Sequence, residues 1–385
     1  THGGDVRLVA MADVFENNLH TAYRTIKGKH PQQVAVHDSR FLGLNAYQQV
    51  LSSDADVVIL ATPPGFRPQQ FESAVHAGKH VFMEKPVATD APGVRRVLAA
   101  GSLAQERGLA VQVGLQRHHQ LRYQQCIQRL QNGAIGDLIF ARAYWNGSGA
   151  KVRRRVTGQT ELEYQLRNWY HFNWLSGDHI DEQHVHNLDV INWLKCSHPI
   201  EAQGQGGRTA GRDGAVGQVF DHHAVEYTYA DGFKLFSQCR NMEGCWNNIG
   251  EHVHGSAGTS DISNAIIRDP DGRVQWQSDA KEVKGKGWQQ EQDDLFTALR
   301  RGVTPNQTEY GAFSTMTAIM GRMATYGGTV IKWDDAINDP VLLADTDSLL
   351  SLTDAAPAEP DCEGRYQIPV PGSQGEVGER SRRRV

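Results

Sequence analysis

A lysine directly before a proline ends a short apolar run in the stretch HVFMEKPVAT, residues 80–89. The run has the composition of a buried strand, so Lys85 would stand at the tip of that strand. A charged amine at such a position must reach water at once or meet a partner that offsets its desolvation. Lys85 is therefore either a surface residue whose alkyl stem covers the strand end or part of a site where it contacts a ligand or moves a proton.

A second stretch, SGDHIDEQHVHNLDVINWL at residues 176–194, combines carboxylates with histidines. Its pattern predicts one helix over about residues 178–195, on which Glu182, His186 and Asp189 share a face at i, i+4 and i+7. A carboxylate one turn from an imidazole can fix its tautomer and stabilise its protonated form, which is an arrangement for proton transfer. The alternatives are a solvated face with helical ion pairs and a metal site formed by the histidine and the two carboxylates.

The elements that must position Lys85 alternate between strands and helices, as in an α/β fold. From Val6 to Gly114, β-branched runs without a polar face alternate with helical segments, as parallel strands covered on both sides do. The predicted strands are Val6–Ala12, Val57–Thr62, His80–Met83 and Leu109–Gly114, with a weaker one at Gln33–His37. Ligands of doubly wound sheets bind beyond the carboxyl ends of the strands, and Thr62, Lys85 and Gln116 all follow such ends.

The pattern changes at about residue 120. The sequence AVEYTYADGFKLFSQCR predicts a hairpin around Asp231 and Gly232, and two helices precede a last short strand. These features indicate an α+β domain with an open, mainly antiparallel sheet. The predicted division is a Rossmann-type doubly wound parallel sheet in residues 1–119, an α+β domain for substrate binding and oligomerisation in residues 120–335, and an extended tail in residues 336–385.

The composition excludes several classes of function. A hydrophobic share of 39% and a charged share of 22% over 385 residues are ordinary for a two-domain globular protein. The net charge of −5 gives no general field that would attract nucleic acid or an anionic membrane. No apolar stretch approaches the ~20 residues that a membrane helix needs. The 5 cysteines are scattered, which argues against a disulfide scaffold or a zinc knuckle.

The lysine motif and the strand before it resemble those of a known family. The segment ATPP at residues 61–64, followed by GKHVFMEKPVA at residues 78–88, resembles the Gfo/Idh/MocA oxidoreductases, the group of glucose–fructose oxidoreductase and inositol dehydrogenase. The resemblance covers roughly residues 6–335. It implies hydride transfer between a hydroxyl-bearing carbon and a nicotinamide cofactor.

The histidine-rich helix supports the same resemblance. The family carries Asp-x-Gly-x-His-x-x-Asp here, and this chain has Glu182, His184, His186 and Asp189 at those positions. Carried over by position, Lys85 and His186 correspond to the family's active-site lysine and catalytic histidine. Glu182 takes the place of the acidic partner, which is normally aspartate. His184 replaces the usual glycine, a departure that bears on the substrate because this helix lines the substrate pocket in the family.

The resemblance also implies a cofactor, NAD rather than NADP. Asp13 ends the first predicted strand, where a carboxylate can accept hydrogen bonds from an adenosine ribose and repel a 2′-phosphate. The alternative is that Asp13 only caps the helix starting near Glu16. The other expected cofactor-binding residues are Thr62, Pro63, Pro64, Glu84, Lys85 and Gln116. A glycine-rich turn should precede Asp13 by about twenty residues; because it is absent, we expect an N-terminally incomplete chain that binds NAD poorly.

Substrate contacts are predicted from the aromatic loop LRNWYHFNWLSGDH, residues 166–179. Four aromatic residues could stack on sugar C–H faces: Trp169, Tyr170, Phe172 and Trp174. Arg167, Asn168 and His171 could bind hydroxyl groups, and roles in the core are the equal alternative for all seven. Asp189 completes the predicted substrate-binding set.

The resulting expectation is an NAD(P)-dependent oxidoreductase acting on a hydroxyl of a sugar or cyclitol. His186 would remove the hydroxyl proton, Glu182 would orient His186, and Lys85 would hold the oxygen or relay the proton. The alternatives are an NAD-dependent glycosidase that uses transient oxidation and elimination, and a non-catalytic sugar-binding relative. The expected partners are a small-molecule substrate and further copies of the chain, as a homodimer or homotetramer through the sheet of the second domain. No metal, nucleic acid or membrane is expected.

Overall fold

The computed structural model describes residues 6–209, 216–280 and 286–373 of the chain. The first part alternates strands and helices as predicted. Its elements are β1 (Met11–Asp13), α1 (Glu16–Lys29), β2 (Arg40–Leu42), α2 (Ala46–Leu51), β3 (Val57–Leu60), α3 (Arg67–His76), β4 (His80–Met83), α4 (Ala91–Glu106), β5 (Val111–Val113) and α5 (Leu121–Gln131).

The second part contains a large sheet and the helices that cover it. Its elements are β6 (Leu138–Gly147), α6 (Glu161–Arg167), α7 (Asn173–Ser176), α8 (His179–Glu182), α9 (Val185–Lys195), β7 (Glu201–Gly207), β8 (His222–Thr228), β9 (Lys234–Asn241), β10 (Asn248–Gly255), β11 (Gly258–Asp261), β12 (Ile266–Arg268), β13 (Val274–Gln277), α10 (Lys286–Arg300), α11 (Thr308–Gly327), β14 (Ile331–Lys332) and α12 (Trp333–Ile337).

All strand pairs of the first part are parallel, which confirms the predicted fold class. Strands β3, β4 and β5 form one sheet, and β1 pairs with β2 in another. Within the described residues β1 and β3 are not hydrogen-bonded to each other, so the parallel strands form two sheets rather than one. The side chains of Val81, Met83, Val111 and Val113 are completely buried, as expected for strands covered by helices on their faces.

The predicted weak strand at residues 33–37 is wrong. Only Val34 pairs there, through an isolated parallel bridge to Leu8, and the strand of this region is β2. Backbone bonds run from Leu8 to Gln33 and from Ala35 to Leu8, so the pairing ends after a single residue. Residues 33–37 therefore pair with the segment around Leu8 at one position only and do not form a strand.

The second domain is built on a nine-stranded sheet in the order β13-β12-β11-β10-β6-β9-β8-β7-β14. The pairs are antiparallel except β6 with β9, and β8 with β9 forms the predicted hairpin. Helices α9 and α11 pack on one face of this sheet. At Gly321 of α11 an added Cβ would lie 2.0 Å from the Tyr227 hydroxyl of β8, so only glycine permits this close approach.

The prediction of one continuous helix at residues 178–195 is wrong, because the structure divides this segment into α8 and α9. The backbone N–H of His184 donates to the carbonyl of His179, five residues earlier, instead of four. This wide turn inserts an extra residue into the helical path, as π-type turns do at many functional sites. The side chain of His184 is fully buried and its Nε2 lies 2.7 Å from Ser237 Oγ, which fixes the turn against β9.

Later segments of the chain return to the first part. Val111 of β5 donates to the carbonyl of Pro305 and accepts from the N–H of Gln307, so residues 305–307 extend the edge of the parallel sheet. The domain boundaries predicted from the sequence place residues 305–307 in the second domain and do not anticipate their pairing with β5. Residues of the predicted tail pack against the second domain: Tyr366 and Leu349 lie in a core shared with α6 and α7.

No helix in the described ranges is both long and apolar enough to cross a membrane. Residues 1–5, which the sequence-based search for the glycine-rich turn included, lie outside the described residues, as does the end of the tail after residue 373.

Candidate active site

The fold brings Lys85, at the carboxyl end of β4, against Glu182, the last residue of α8. Lys85 Nζ lies 2.8 Å from Glu182 Oε1 and also donates to the backbone carbonyl of Glu182. Their side chains are only 13% and 15% exposed, so this ion pair is largely shielded from water. The contact joins the parallel sheet to the second domain and places both residues at the edge where ligands of such sheets bind.

His186 lies in the first turn of α9 and is buried, with its ring stacked on that of Trp145 of β6 at a centroid distance of 6.0 Å. Burial holds the pKa of His186 well below its usual range, and the positive charges of Lys85 and Arg117 lower it further. Its Nδ1 atom has no hydrogen-bond partner within the described residues. A neutral imidazole with an unpartnered ring nitrogen can accept a proton from a ligand.

The expected orientation of His186 by Glu182 is not what the structure shows. The carboxylate of Glu182 accepts from Lys85, and the wide turn at His184 changes the helical phase between Glu182 and His186. Glu182 therefore positions the lysine, whereas the stacking on Trp145 positions the histidine.

A buried ionic network beneath His186 was not predicted from the sequence. Arg117, which follows β5, forms an ion pair with the fully buried Glu251 of β10. Asn187 donates to Glu251 Oε1 at 2.6 Å, and the Tyr123 hydroxyl lies 3.3 Å from Oε2. Although burial opposes it, the charge of Glu251 raises the pKa of Arg117. In the sequence, Arg117 of this network belongs to the segment GLQRHH, residues 114–119, which follows β5.

Asp189 does not take the predicted role in substrate binding. Its carboxylate is buried, with Oδ2 2.8 Å from His118 Nε2 and Oδ1 accepting from Ser314 Oγ at 2.9 Å. The ring of His118 is in turn stacked between those of Trp193 and Tyr310. Both oxygens of Asp189 are thus committed to a network that ties α9 to α11.

Two residues of the aromatic loop also belong to the core. Trp174 is 2% exposed and its Nε1 donates to Gln165 Oε1 at 2.8 Å, so neither its face nor its N–H is available to a ligand. The side chain of Asn168 is buried and holds the backbone N–H and carbonyl of Arg153. The predicted substrate contacts of Trp174 and Asn168 are therefore replaced by structural ones.

Arg167 and Trp169 lie near the first strand and the tail. Arg167 pairs with Glu163 at 3.1 Å and lies over the ring of Phe15, two residues after Asp13. Trp169 is half-buried against the core that includes the tail, with its ring edge-on to that of Tyr170. The two predicted substrate contacts are thus placed beside the end of β1.

Tyr170, one of the aromatic residues predicted to stack on a sugar, reaches the candidate site. Burial raises the pKa of Tyr170 well above its usual range, and the nearby carboxylate of Glu182 raises it further. Tyr170 also lines a cavity of about 410 Å³. Other lining residues are Lys151, His171, Arg208, Phe220, Asn241 and Glu243. The cavity therefore adjoins the Lys85–Glu182 pair through Tyr170.

The predicted cofactor-binding residues lie at the carboxyl ends of parallel strands. Thr62 follows β3 and donates to Gln70 at 2.6 Å, Pro63 and Pro64 form the turn into α3, and Gln116 begins the 3₁₀ turn after β5. Glu84 occupies space beside Gly114, where an added Cβ would lie 2.6 Å from the Glu84 carboxylate. The buried Arg67, which was not predicted, donates to the carbonyls of Thr62 and Pro86 and fixes these strand ends together.

Asp13, at the end of β1, is the residue predicted to bind the adenosine ribose of a dinucleotide. Its Oδ1 accepts from the N–H of Phe15 at 2.7 Å and lies 3.4 Å from Asn18 Nδ2, so it stabilises the turn into α1 without capping that helix directly. Its Oδ2 makes no hydrogen bond within the part of the chain that the structure describes. One carboxylate oxygen at the end of β1 thus remains available to a ribose hydroxyl, whereas the described residues before Asp13 include no glycine-rich turn for the pyrophosphate.

Comparisons with known proteins agree with this geometry. The family model of the Gfo/Idh/MocA proteins, described as an oxidoreductase family with an NAD-binding Rossmann fold, matches residues 8–115. The chain is 29% identical over 197 residues to inositol 2-dehydrogenase of Gluconacetobacter diazotrophicus, and the alignment covers 51% of this chain and 49% of that protein. The chain thus spans about half of the length of this curated relative.

Solved structures share the two-domain fold. An oxidoreductase domain protein from Kribbella flavida superimposes with a TM-score of 0.68 at 18% identity, covering 85% of this chain and 90% of that one. Levoglucosan dehydrogenase in complex with NADH and levoglucosan gives a TM-score of 0.64 at 15% identity, with coverage of 85% and 90%. Residues 8–115 thus match the NAD-binding domain of the Gfo/Idh/MocA oxidoreductases, and the chain as a whole shares the fold of the solved structures.

Proposed function

We propose that the protein is an NAD(P)-dependent oxidoreductase that transfers hydride between a sugar or cyclitol hydroxyl and a nicotinamide. The observation that carries this proposal is the shielded Lys85–Glu182 pair at the carboxyl end of β4, with the neutral imidazole of His186 beside it. An amine and an unprotonated imidazole at one edge of a dinucleotide-binding sheet supply a hydrogen-bond donor and a proton acceptor.

Lys85, Glu182 and His186 have separate roles toward a bound alcohol. Lys85 donates a hydrogen bond to the reacting oxygen, and Glu182 holds the amine in place. His186 accepts the hydroxyl proton, because its pKa is held low enough for the ring to be neutral. The bound cofactor supplies the acceptor for the hydride that leaves the carbinol carbon. Burial of these groups limits competition from water.

The cavity beside Tyr170 supports a polyhydroxylated substrate. Its lining combines aromatic rings, such as Phe220, with the polar groups of Lys151, His171, Asn241 and Glu243. Aromatic faces pack against C–H groups, while polar side chains recognise hydroxyls. Inositol 2-dehydrogenase and levoglucosan dehydrogenase, two of the proteins that this chain resembles, are named for substrates of this class.

An assay of turnover tests the proposal directly. The purified chain is incubated with NAD or NADP and a set of cyclitols, aldoses and anhydrosugars, and the absorbance of the reduced nicotinamide is followed. We expect reduction with at least one of these substrates. Release of sugar from a glycoside without net reduction would instead favour a glycosidase, and the comparisons do not support that alternative.

Asp13 is expected to favour NAD over NADP. Replacing it in the double variant Asp13→Ser with Val14→Arg removes repulsion of a 2′-phosphate and adds a cation that can bind it. The ratio of kcat/KM for NADP to that for NAD should therefore rise relative to the unmodified protein. An unchanged ratio would mean that Asp13 serves only as the hydrogen-bond acceptor of Phe15 and Asn18 at the start of α1.

The outer face of the large sheet supports the proposed self-association. Phe140 of β6, Phe236 of β9 and His254 of β10 contact one another on this face, and the Phe236 side chain is 43% exposed. Exposed aromatic rings on a sheet face suit an interface between copies of the chain.

A further inference from the structure

Three side chains with metal-binding groups converge in the interior of the second domain, and the thiol of Cys239 interacts with one of them, His179. Asp178, His179, His223 and Cys239 are each 2% exposed or less. One ligand atom from each of Asp178, His179 and His223 lies within 4.8 Å of the other two. Cys239 of β9 is the direct cross-strand partner of His223 of β8, so the two side chains leave the sheet on the same face.

The hydrogen bonds of His223 leave one ring nitrogen facing an acceptor. Its Nδ1 lies 2.9 Å from Thr325 Oγ1. The hydroxyl of Thr325 lies 3.1 Å from the carbonyl of Gly321 and 3.0 Å from that of Arg322, the ordinary acceptors for a threonine in a helix. Thr325 therefore accepts from His223 Nδ1–H. The lone pair of His223 Nε2 then faces Asp178 Oδ2 at 3.3 Å.

Asp178 accepts hydrogen bonds from groups other than His223, so His223 Nε2 does not have to carry a proton for it. Its Oδ2 accepts from the Tyr326 hydroxyl at 2.6 Å and from the N–H of Phe220 at 2.9 Å, while Oδ1 lies 2.7 Å from His179 Nδ1. A hydrogen bond from His179 Nδ1–H to Oδ1 leaves Nε2 of that ring with a lone pair. His179 Nε2 has no hydrogen-bond partner in the described part of the chain.

Buried lone pairs directed into a shared interior need a proton or a cation. We propose that Asp178, His179, His223 and Cys239 form a site for a divalent cation of the zinc class. Two imidazoles, a thiolate and a carboxylate match the ligand types and the number that zinc takes in closed sites. Binding releases the thiol proton of Cys239 to solvent. The resulting thiolate and the carboxylate then balance the two positive charges of the ion.

The neighbouring side chains have the arrangement expected around a metal site. Thr325 fixes the tautomer of His223, and Tyr326 orients the carboxylate of Asp178, as outer partners of metal ligands do. A bound ion would fasten the segment between α7 and α9, which carries Glu182, to strands β8 and β9. The inference rests on these contacts and is independent of the proposed oxidoreductase activity. It differs from the sequence-based expectation of no metal, because the ligands come from distant positions without a spacing motif.

The first test uses the full chain stripped of metal by a chelator. We expect titration with cobalt(II) to produce the visible absorption of a tetrahedral site together with a thiolate charge-transfer band, and zinc to displace it at about one equivalent per chain. Zinc should also raise the Tm of the stripped protein. A stripped protein that binds neither ion, with a Tm unaffected by zinc, would overturn the proposal and leave a purely hydrogen-bonded ion-pair cluster.

The second test separates this site from the other histidines and cysteines of the chain. His223→Ala and Cys239→Ser should each weaken cobalt binding by at least about tenfold, and Cys239→Ser should abolish the thiolate band. The matched controls are His222→Ala on the same strand, whose side chain is 44% exposed, and Cys245→Ser at an exposed cysteine. Cobalt binding retained in both cluster variants would contradict the assignment. If either variant fails to fold, the spectrum of the unmodified chain still decides whether a thiolate site exists.

Discussion

Replacing Lys85 with alanine should lower kcat by about 100-fold or more, the usual scale for a lost acid–base or oxyanion-binding group. The side chain is held by Glu182 at the strand end where the reacting hydroxyl would lie, so its loss leaves the oxygen without this donor. The measurement is steady-state turnover with the best substrate from the assay above. Circular dichroism and thermal denaturation establish whether the variant is folded.

Two further lysine variants sharpen this result. Lys85→Arg should not restore activity, because a guanidinium stays protonated and has a different shape from an ammonium group. Lys79→Ala is the matched control, since Lys79 precedes β4 and contacts the carbonyl of Ser53 rather than the site. Normal turnover in a folded Lys85→Ala protein would remove the lysine from the mechanism. A variant that fails to fold would instead assign Lys85 a structural role.

His186→Ala should also lower kcat by about 100-fold or more, because no base would remain to take the hydroxyl proton. In the unmodified protein, burial and the charges of Lys85 and Arg117 lower the pKa of His186. Protonation would remove the base, so a lowered pKa moves that loss to more acidic pH. The activity should therefore not fall through His186 protonation near pH ~6.5, where an unperturbed histidine titrates.

The pH profile provides a readout that a packing defect would not reproduce. The acid-side decline of kcat/KM that belongs to His186 should lie well below pH ~6.5 and should be missing from the residual activity of His186→Ala. His76→Ala, at an exposed histidine of α3, is the control. A decline centred near pH ~6.5 that His186→Ala abolishes would show that the imidazole titrates normally and would contradict the assigned electrostatics.

Most of the fold could be predicted from local sequence patterns. Strand β4 was predicted with its observed bounds, and the hairpin at Asp231 and Gly232 was confirmed, because apolar runs and turn residues act over a few neighbouring positions. Lys85 could be placed at the ligand-binding edge for the same reason. Its position depends on the end of a single strand and on the general geometry of parallel sheets.

The partners of the site residues could not be predicted in this way. The extra residue at His184 is stabilised by contact with Ser237, 53 positions later, and nothing within the helix pattern signals it. Asp189 and Trp174 were assigned to the substrate because their types suit it. Their actual partners, His118 and Gln165, become visible only once the surrounding elements are packed. Tyr170 was predicted as one of four stacking residues, and only the packed structure places it, rather than the buried Trp174, beside Glu182.

The central claim is that Lys85 and His186 act on one hydroxyl as a single unit, and a double-mutant cycle tests it most directly. Turnover of the unmodified protein, Lys85→Ala, His186→Ala and the double variant is measured with one substrate and one cofactor. Because residues that act together are strongly non-additive, the double variant should be little slower than the slower single variant. Losses that multiply in the double variant would show that the two residues act independently and would contradict the account.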